Sequence, residues 1–157
     1  MMTTFALPQR ILLAVESAEL AEPALHAARG FCAEKDMVVD LLHVWEPIPF
    51  TPPDAAFYQD GQSMSYRHVA VSQGELELKA AAATAAILGV AVGKQEVREG
   101  APAETIAEAA EQFGSELVVV TNHQRKGLSR WIQGSVSRRV AQLCACPVLV
   151  VPLHGES

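Results

Sequence analysis

Apolar residues recur along this chain in two rhythms. Five short runs, at residues 10–15, 37–44, 90–97, 116–121 and 147–152, are dominated by Val, Leu, Ile and Ala. Short runs with little alternation predict strands buried on both faces, as in a parallel sheet. The third alternates loosely and predicts an edge strand. Between the runs the spacing becomes helical. Leu20, Ala24, Ala27, Ala28 and Phe31 form one stripe. That helix begins at Ser17 or just after it, and Pro23 moves its regular part toward Glu22. Residues 63–88 predict a long helix, with Gly74 marking a kink or break and Gly89 the stop. Pro102 opens a third helix with a stripe of Ile106, Ala109, Ala110 and Phe113, ended by Gly114. Ser135 caps a fourth, with a stripe of Val136, Val140, Leu143 and Cys144.

Strand and helix therefore alternate from end to end. The pattern predicts an α/β fold: one doubly wound domain over residues 8–153, with a parallel sheet and helices on both faces. Trp45 to Gly61 interrupts the alternation. Its prolines at 47, 49, 52 and 53 bar a central strand, and it reads as a long surface loop.

Composition narrows the function classes. A chain of 157 residues, half hydrophobic and 19% charged, suits a single globular core. A formal charge of −6 argues against a general nucleic-acid binder. The N-terminus lacks the pattern of a signal peptide, and no apolar run approaches the roughly 20 residues of a membrane span. Three cysteines without framework spacing fit a reducing, cytoplasmic setting.

Candidate chemistry collects after the fourth strand. The run Val118-Val119-Val120-Thr121 gives way to a polar loop and then to Gly134-Ser135, which opens a helix. Ligands of α/β proteins bind where strand ends face helix N-termini. Arg125, Lys126, Arg130, Arg138 and Arg139 populate this stretch, and no acid occurs from Asn122 to Val140. Such an island serves an anion, a partner surface or simple solvation. Trp131 within it reads as packing over the core or a partner. Cys144-Ala145-Cys146 lacks the two-residue gap of redox and metal motifs, and reads as buried thiols. Glu16, at the end of the first strand, either caps the following helix or touches ligand. There is no nucleophile–base–orienter set, zinc spacing, Gly-x-Gly-x-x-Gly or Walker loop.

Six motifs, in order, resemble the universal stress protein family. They are Ile11-Leu12-Leu13-Ala14-Val15-Glu16-Ser17, Leu42-His43-Val44, Glu99-Gly100-Ala101-Pro102-Ala103, His123-Gln124-Arg125-Lys126-Gly127-Leu128-Ser129, Gly134-Ser135-Val136 and Cys146-Pro147-Val148-Leu149-Val150-Val151. The resemblance implies an adenine nucleotide alpha hydrolase-like sheet of order 3-2-1-4-5. Strand one would then separate His43 from His123, so they read as polar rim or capped core histidines rather than metal ligands. It also implies a homodimer through the last strand. Val148, Leu149, Val150 and Val151 give independent reason for that pairing, because an uncharged edge invites association.

Some members of this family bind ATP through Gly, two residues, Gly, nine residues, Gly and then Ser or Thr. The matching positions are Thr121, Gln124, Gly134 and Ser135, so the first two glycines are replaced. A positive φ at 121 would be costly for threonine. Glu16 stands where ATP-binding relatives carry Asp. The resemblance thus implies a candidate nucleotide site of Glu16, Val44, Thr121, Gln124, Arg125, Gly134, Ser135 and Val136. Two functions follow. In one the site is degenerate, holds no cofactor, and the dimer acts through regulatory protein partners. In the other, ATP or AMP still binds and acts as a switch, with weak ATPase activity at most. Loss of the glycines favours the first.

Overall fold

The computed structural model describes residues 6–32, 36–123 and 134–153. Seven strands are described: β1 (Arg10–Ala14), β2 (Val38–Trp45), β3 (Ala56–Gln59), β4 (Gln62–Ser65), β5 (Ala91–Glu99), β6 (Leu117–His123) and β7 (Val148–Leu153). The helices are α1 (Ala21–Arg29), preceded by a 3-10 turn at Ala18–Leu20, then α2 (Tyr66–Ile87), α3 (Pro102–Phe113) and α4 (Ser135–Leu143). Five strands form one parallel sheet in the order β5-β2-β1-β6-β7. Counted over the five strands expected from the sequence, this is order 3-2-1-4-5, with the third at an edge.

Alternation along the strands explains the layers. Ile11 and Leu13 face α1 and α2, packing with Ala24, Leu25, Leu78, Ala81 and Ala85. Leu12 and Ala14 face α3 and α4, packing with Ile106, Ala109, Val136 and Val140. Both clusters are buried, so β1 is apolar at nearly every position. The stripe expected on α3 is buried in full, and Gly114 ends that helix at φ 66°. The other two stripes overreach at one residue each, although Cys144 packs half-buried against the core. Phe31 lies beyond α1 and is 57% exposed, and Leu143, on the last turn of α4, is 39% exposed.

The segment expected to be a loop contains structure. β3 and β4 form an antiparallel hairpin that stands apart from the main sheet. Its turn is Asp60-Gly61, both at positive φ (53° and 78°), which matches the twist of a two-residue hairpin. Arg67 anchors the base, pairing with Asp54 at 2.8 Å and with Glu99, and lying over the ring of Trp45. α2 accordingly begins at Tyr66 rather than near residue 63. Ser65 caps it by accepting from the His68 amide at 3.1 Å.

Gly74 neither kinks nor breaks α2. It is buried, and a Cβ there would lie 2.7 Å from His43 Cδ2 and 3.0 Å from both Val97 methyls. The missing side chain lets the helix approach the sheet. No described helix is long and apolar enough to cross a membrane. No group of three or more metal-ligating side chains occurs among the described residues.

Candidate functional site

The chain leaves β1 toward β2 on one side, while β6 and β7 lie on the other. The crevice at the carboxyl ends of β1 and β6 is therefore the topological switch point, where ligands of open α/β sheets bind. Glu16 follows β1 there and is half-buried. Val44, near the end of β2, is buried in the cluster that also holds Ala14, Val120 and Val136. Gly134, Ser135 and Val136 form the start of α4. Gln124 and Arg125, with Lys126, Arg130 and Trp131, lie outside the described residues.

Gly134, not Ser135, is the N-cap of α4. It is buried and left-handed at φ 72°, and Ser135 is the first helical residue. The Gly134 carbonyl accepts from the Arg138 amide at 3.0 Å and from Ser137 Oγ at 3.1 Å. A Cβ on Gly134 would meet Asn122 Nδ2 at 3.4 Å. The end of β6 and the start of α4 are thus held side by side, and the first turn of α4 carries no acid.

Thr121 behaves differently from the sequence argument. It lies within β6, pairs in register with Val151, and is 2% exposed. Among the described residues, only Phe50 and Asp60 have positive φ without being glycine. The strain expected of a threonine at this position is absent. Thr121 shares the alternation of Leu117 and Val119, which face α1 and α2. With Leu13, Val15, Ser17, Leu20 and Ala21 it lines a crevice with no room for a water molecule. Its bulk is directed beneath α1, away from the face on which α4 packs.

Two polar atoms at this end of β6 are buried with no hydrogen-bond partner among the described residues: Thr121 Oγ1 and Asn122 Oδ1. Buried polar atoms are rarely left so in folded proteins. Asn122 carries no motif in the sequence. Its only signal there is that it directly follows the apolar run.

The turn between β1 and α1 is pinned from the α2 side. His43 Nδ1 lies 2.8 Å from the Val15 carbonyl, and the Ala18 amide donates to Glu77 Oε2 at 2.6 Å. His43 is therefore a half-buried residue bonded to backbone, as the rim reading expects. The carboxylate capping this turn is Glu77, which lies 59 positions from Ala18.

The basic island narrows in space. Arg139 pairs with Glu104 of α3 at 3.2 Å. The Glu104 pKa is lowered by a backbone hydrogen bond at that residue and then by Arg139. Cys144 and Cys146 are half-buried free thiols. Burial raises both, and with the help of Cys146 it pushes Cys144 to about 11.

Comparison with known proteins agrees with this geometry. The chain is 33% identical over 135 residues to Universal stress protein MJ0531 of Methanocaldococcus jannaschii, covering 86% of this chain and 74% of that one. A universal stress protein solved in complex with cAMP superposes with a TM-score of 0.65 at 18% identity, over 93% of this chain and 98% of that one. A universal stress protein family protein from Arabidopsis thaliana with AMP bound superposes at 0.61 and 18% identity, over 92% of each chain. At that identity the two structures speak for the adenine nucleotide alpha hydrolase-like fold. The model of the universal stress protein family matches residues 8–152, and with that match and the sheet order above, this chain belongs to the universal stress protein family.

Proposed function

We propose that this universal stress protein binds an adenine nucleotide in the crevice between β1 and β6, and works as a homodimeric, nucleotide-responsive regulator. The observation that carries the reading is the contact between Asn122 and Gly134. A left-handed glycine brings the amide-rich start of α4 beside the Asn122 side chain, with Nδ2 on the glycine side and a buried Oδ1 that finds no donor among the described residues. A ribose hydroxyl or an adenine amino group would supply that donor, and the helix start suits a phosphate. Relatives of this fold solved with cAMP and AMP support the same ligand class. Glu16, Val44, Ser135 and Val136 border the crevice, and Gln124 and Arg125 complete the candidate set from the sequence. Thr121, extended and turned under α1, removes one objection to a ligand.

A second reading keeps the dimer but vacates the site, leaving it to act through protein partners. Gln124 in place of glycine and Glu16 in place of Asp favour it. Calorimetry with AMP, ATP and cAMP separates the two. We expect a Kd at or below about 100 µM, roughly −5.5 kcal/mol, abolished by Ser135→Glu. No heat with any of the three at about 1 mM, a threshold of roughly −4.1 kcal/mol, selects the second reading.

The dimer is proposed to form through β7. Among the described residues this strand pairs only with β6, and Val148 to Val151 carry no charge. The opposite edge, β5, is guarded by Lys94, Glu96 and Arg98. The free thiols of Cys32, Cys144 and Cys146 support a cytoplasmic site of action.

A further inference from the structure

We infer that Glu77, in the middle of α2, is a positioning residue for the nucleotide crevice, acting through the turn that carries Glu16; this rests on the nucleotide reading above. Ser17 occupies the N-cap position of the 3-10 turn in extended conformation, yet its side chain makes no capping bond. The Ala18 amide is capped instead by Glu77 Oε2, at 2.6 Å, from a different helix. A carboxylate bonded to a backbone amide is a charge-assisted contact, stronger than a neutral one. Gln73 Nε2 donates to Glu77 Oε1 at 3.2 Å and holds its orientation. The other end of the turn is held by His43, whose Nδ1 meets the Val15 carbonyl. Gly74 leaves α2 close to the sheet, against the His43 ring, which is where the Glu77 contact forms.

Glu16 and Ser17 thus lie between two anchors, one supplied by α2 and one by β2. Releasing the Ala18 anchor frees the backbone on one side of Glu16 without touching any group in the crevice. The consequence for a bound nucleotide passes through Glu16.

The test is a double-mutant cycle read by calorimetry with AMP, with circular dichroism and thermal melts confirming the fold of each variant. Glu77→Ala is expected to weaken AMP binding about ten-fold, because the released turn must then be ordered when the nucleotide binds. Glu77→Gln keeps an acceptor oxygen and is expected to lose only about three-fold. In a Glu16→Ala background the same changes are expected to alter affinity less than about two-fold. Should Glu77→Ala not fold, Glu77→Gln in the two backgrounds decides. A wild-type chain that binds AMP beside Glu77 variants that bind equally well would overturn the inference alone. Equal losses in both backgrounds would overturn it too, since a merely structural cap does not act through Glu16. A wild-type chain that binds no AMP fails the nucleotide reading itself and takes the inference with it.

Discussion

Arg10 clasps Asp40 with two arms of its guanidinium: Nε lies 3.0 Å from Oδ2 and Nη2 lies 2.9 Å from Oδ1. Asp40 is wholly buried in the middle of β2, and its Oδ1 also accepts from the Lys94 amide at 2.7 Å. The pairing of β2 with β5 slips at this point, from Val39 opposite Val92 to Leu41 opposite Gln95. Asp40 therefore satisfies an amide in the irregular stretch of the ladder, and Arg10 balances the charge. Gly93 makes room, since a Cβ there would lie 2.5 Å from Asp40 Oδ1. Replacing Asp40 with alanine strands both donors in a tight site. Arg10 is 36% exposed and can be solvated once alone, so the cost falls below that of a fully buried pair, at about 1–3 kcal/mol. Urea unfolding of Asp40→Ala should show its midpoint fall accordingly, with the m-value unchanged. A shift of under about 1 kcal/mol would mean that water or Glu116 takes over the role.

Gly74→Ala tests whether α2 is limited by local preference or by packing. Alanine in a helix interior is better than glycine by about 1 kcal/mol. Against that stands overpacking, which costs about 1–3 kcal/mol. His43 is held at Nδ1 by the Val15 carbonyl, so its ring cannot simply swing away from the new methyl. Packing should win. The variant is expected to melt at a lower temperature than wild type, and a higher melting temperature would show that α2 moves outward at no cost.

Much of this molecule is written locally. Buried parallel strands need apolar residues on both faces, so Ile11-Leu12-Leu13-Ala14 and Val118-Val119-Val120 announce themselves, and Pro102 and Gly114 mark the ends of α3. Prolines between Trp45 and Asp54 mask the hairpin in the sequence, although Asp60-Gly61 is itself a strong turn signal. The site was legible only in its covalent neighbours. Gly134-Ser135 could be read, with the N-cap one residue off. Asn122 acquires meaning only when α4 folds back beside it. The Ala18–Glu77 and Glu104–Arg139 contacts span 59 and 35 positions, and no spacing rule connects them. A positive φ at 121, which the family's glycine pattern raises, would strain threonine. The strand instead continues through that residue, where a β-branched side chain is comfortable.

The thiols at the end of α4 should be slow nucleophiles. The Cys144 pKa is raised from 9.0 to about 11, first by burial and then by Cys146. At pH 8 its thiolate fraction is then roughly a hundredfold below that of an unperturbed thiol. Iodoacetamide should label Cys144 slowly at pH 8 and faster as pH approaches 11, with peptide mapping as the readout. The sign for stability follows from the same shift. A raised pKa in the folded chain favours the protonated form there. Its stabilising contribution is complete below pH 9 and is lost as pH climbs through 11. Labelling at the rate of a free thiol at pH 8 would place Cys144 in a more open setting.

Val150→Lys addresses the proposed dimer. Val150 is 37% exposed on β7, whose backbone is paired on one side only. If two copies pair their β7 edges about a two-fold axis, each interface receives two introduced lysines close together. Charges of like sign on a strand edge oppose such pairing, which is how natural edges are kept from associating. β5 supplies the internal comparison, because Lys94, Glu96 and Arg98 already occupy that edge. Sedimentation velocity should find wild type dimeric and Val150→Lys monomeric, with the circular dichroism spectrum unchanged. Gln95→Lys on β5, an exposed position of the guarded edge, should leave the dimer intact. A wild-type chain that sediments as a monomer would remove β7 as the interface, and a dimer that survives Val150→Lys but not Gln95→Lys would move the interface to β5.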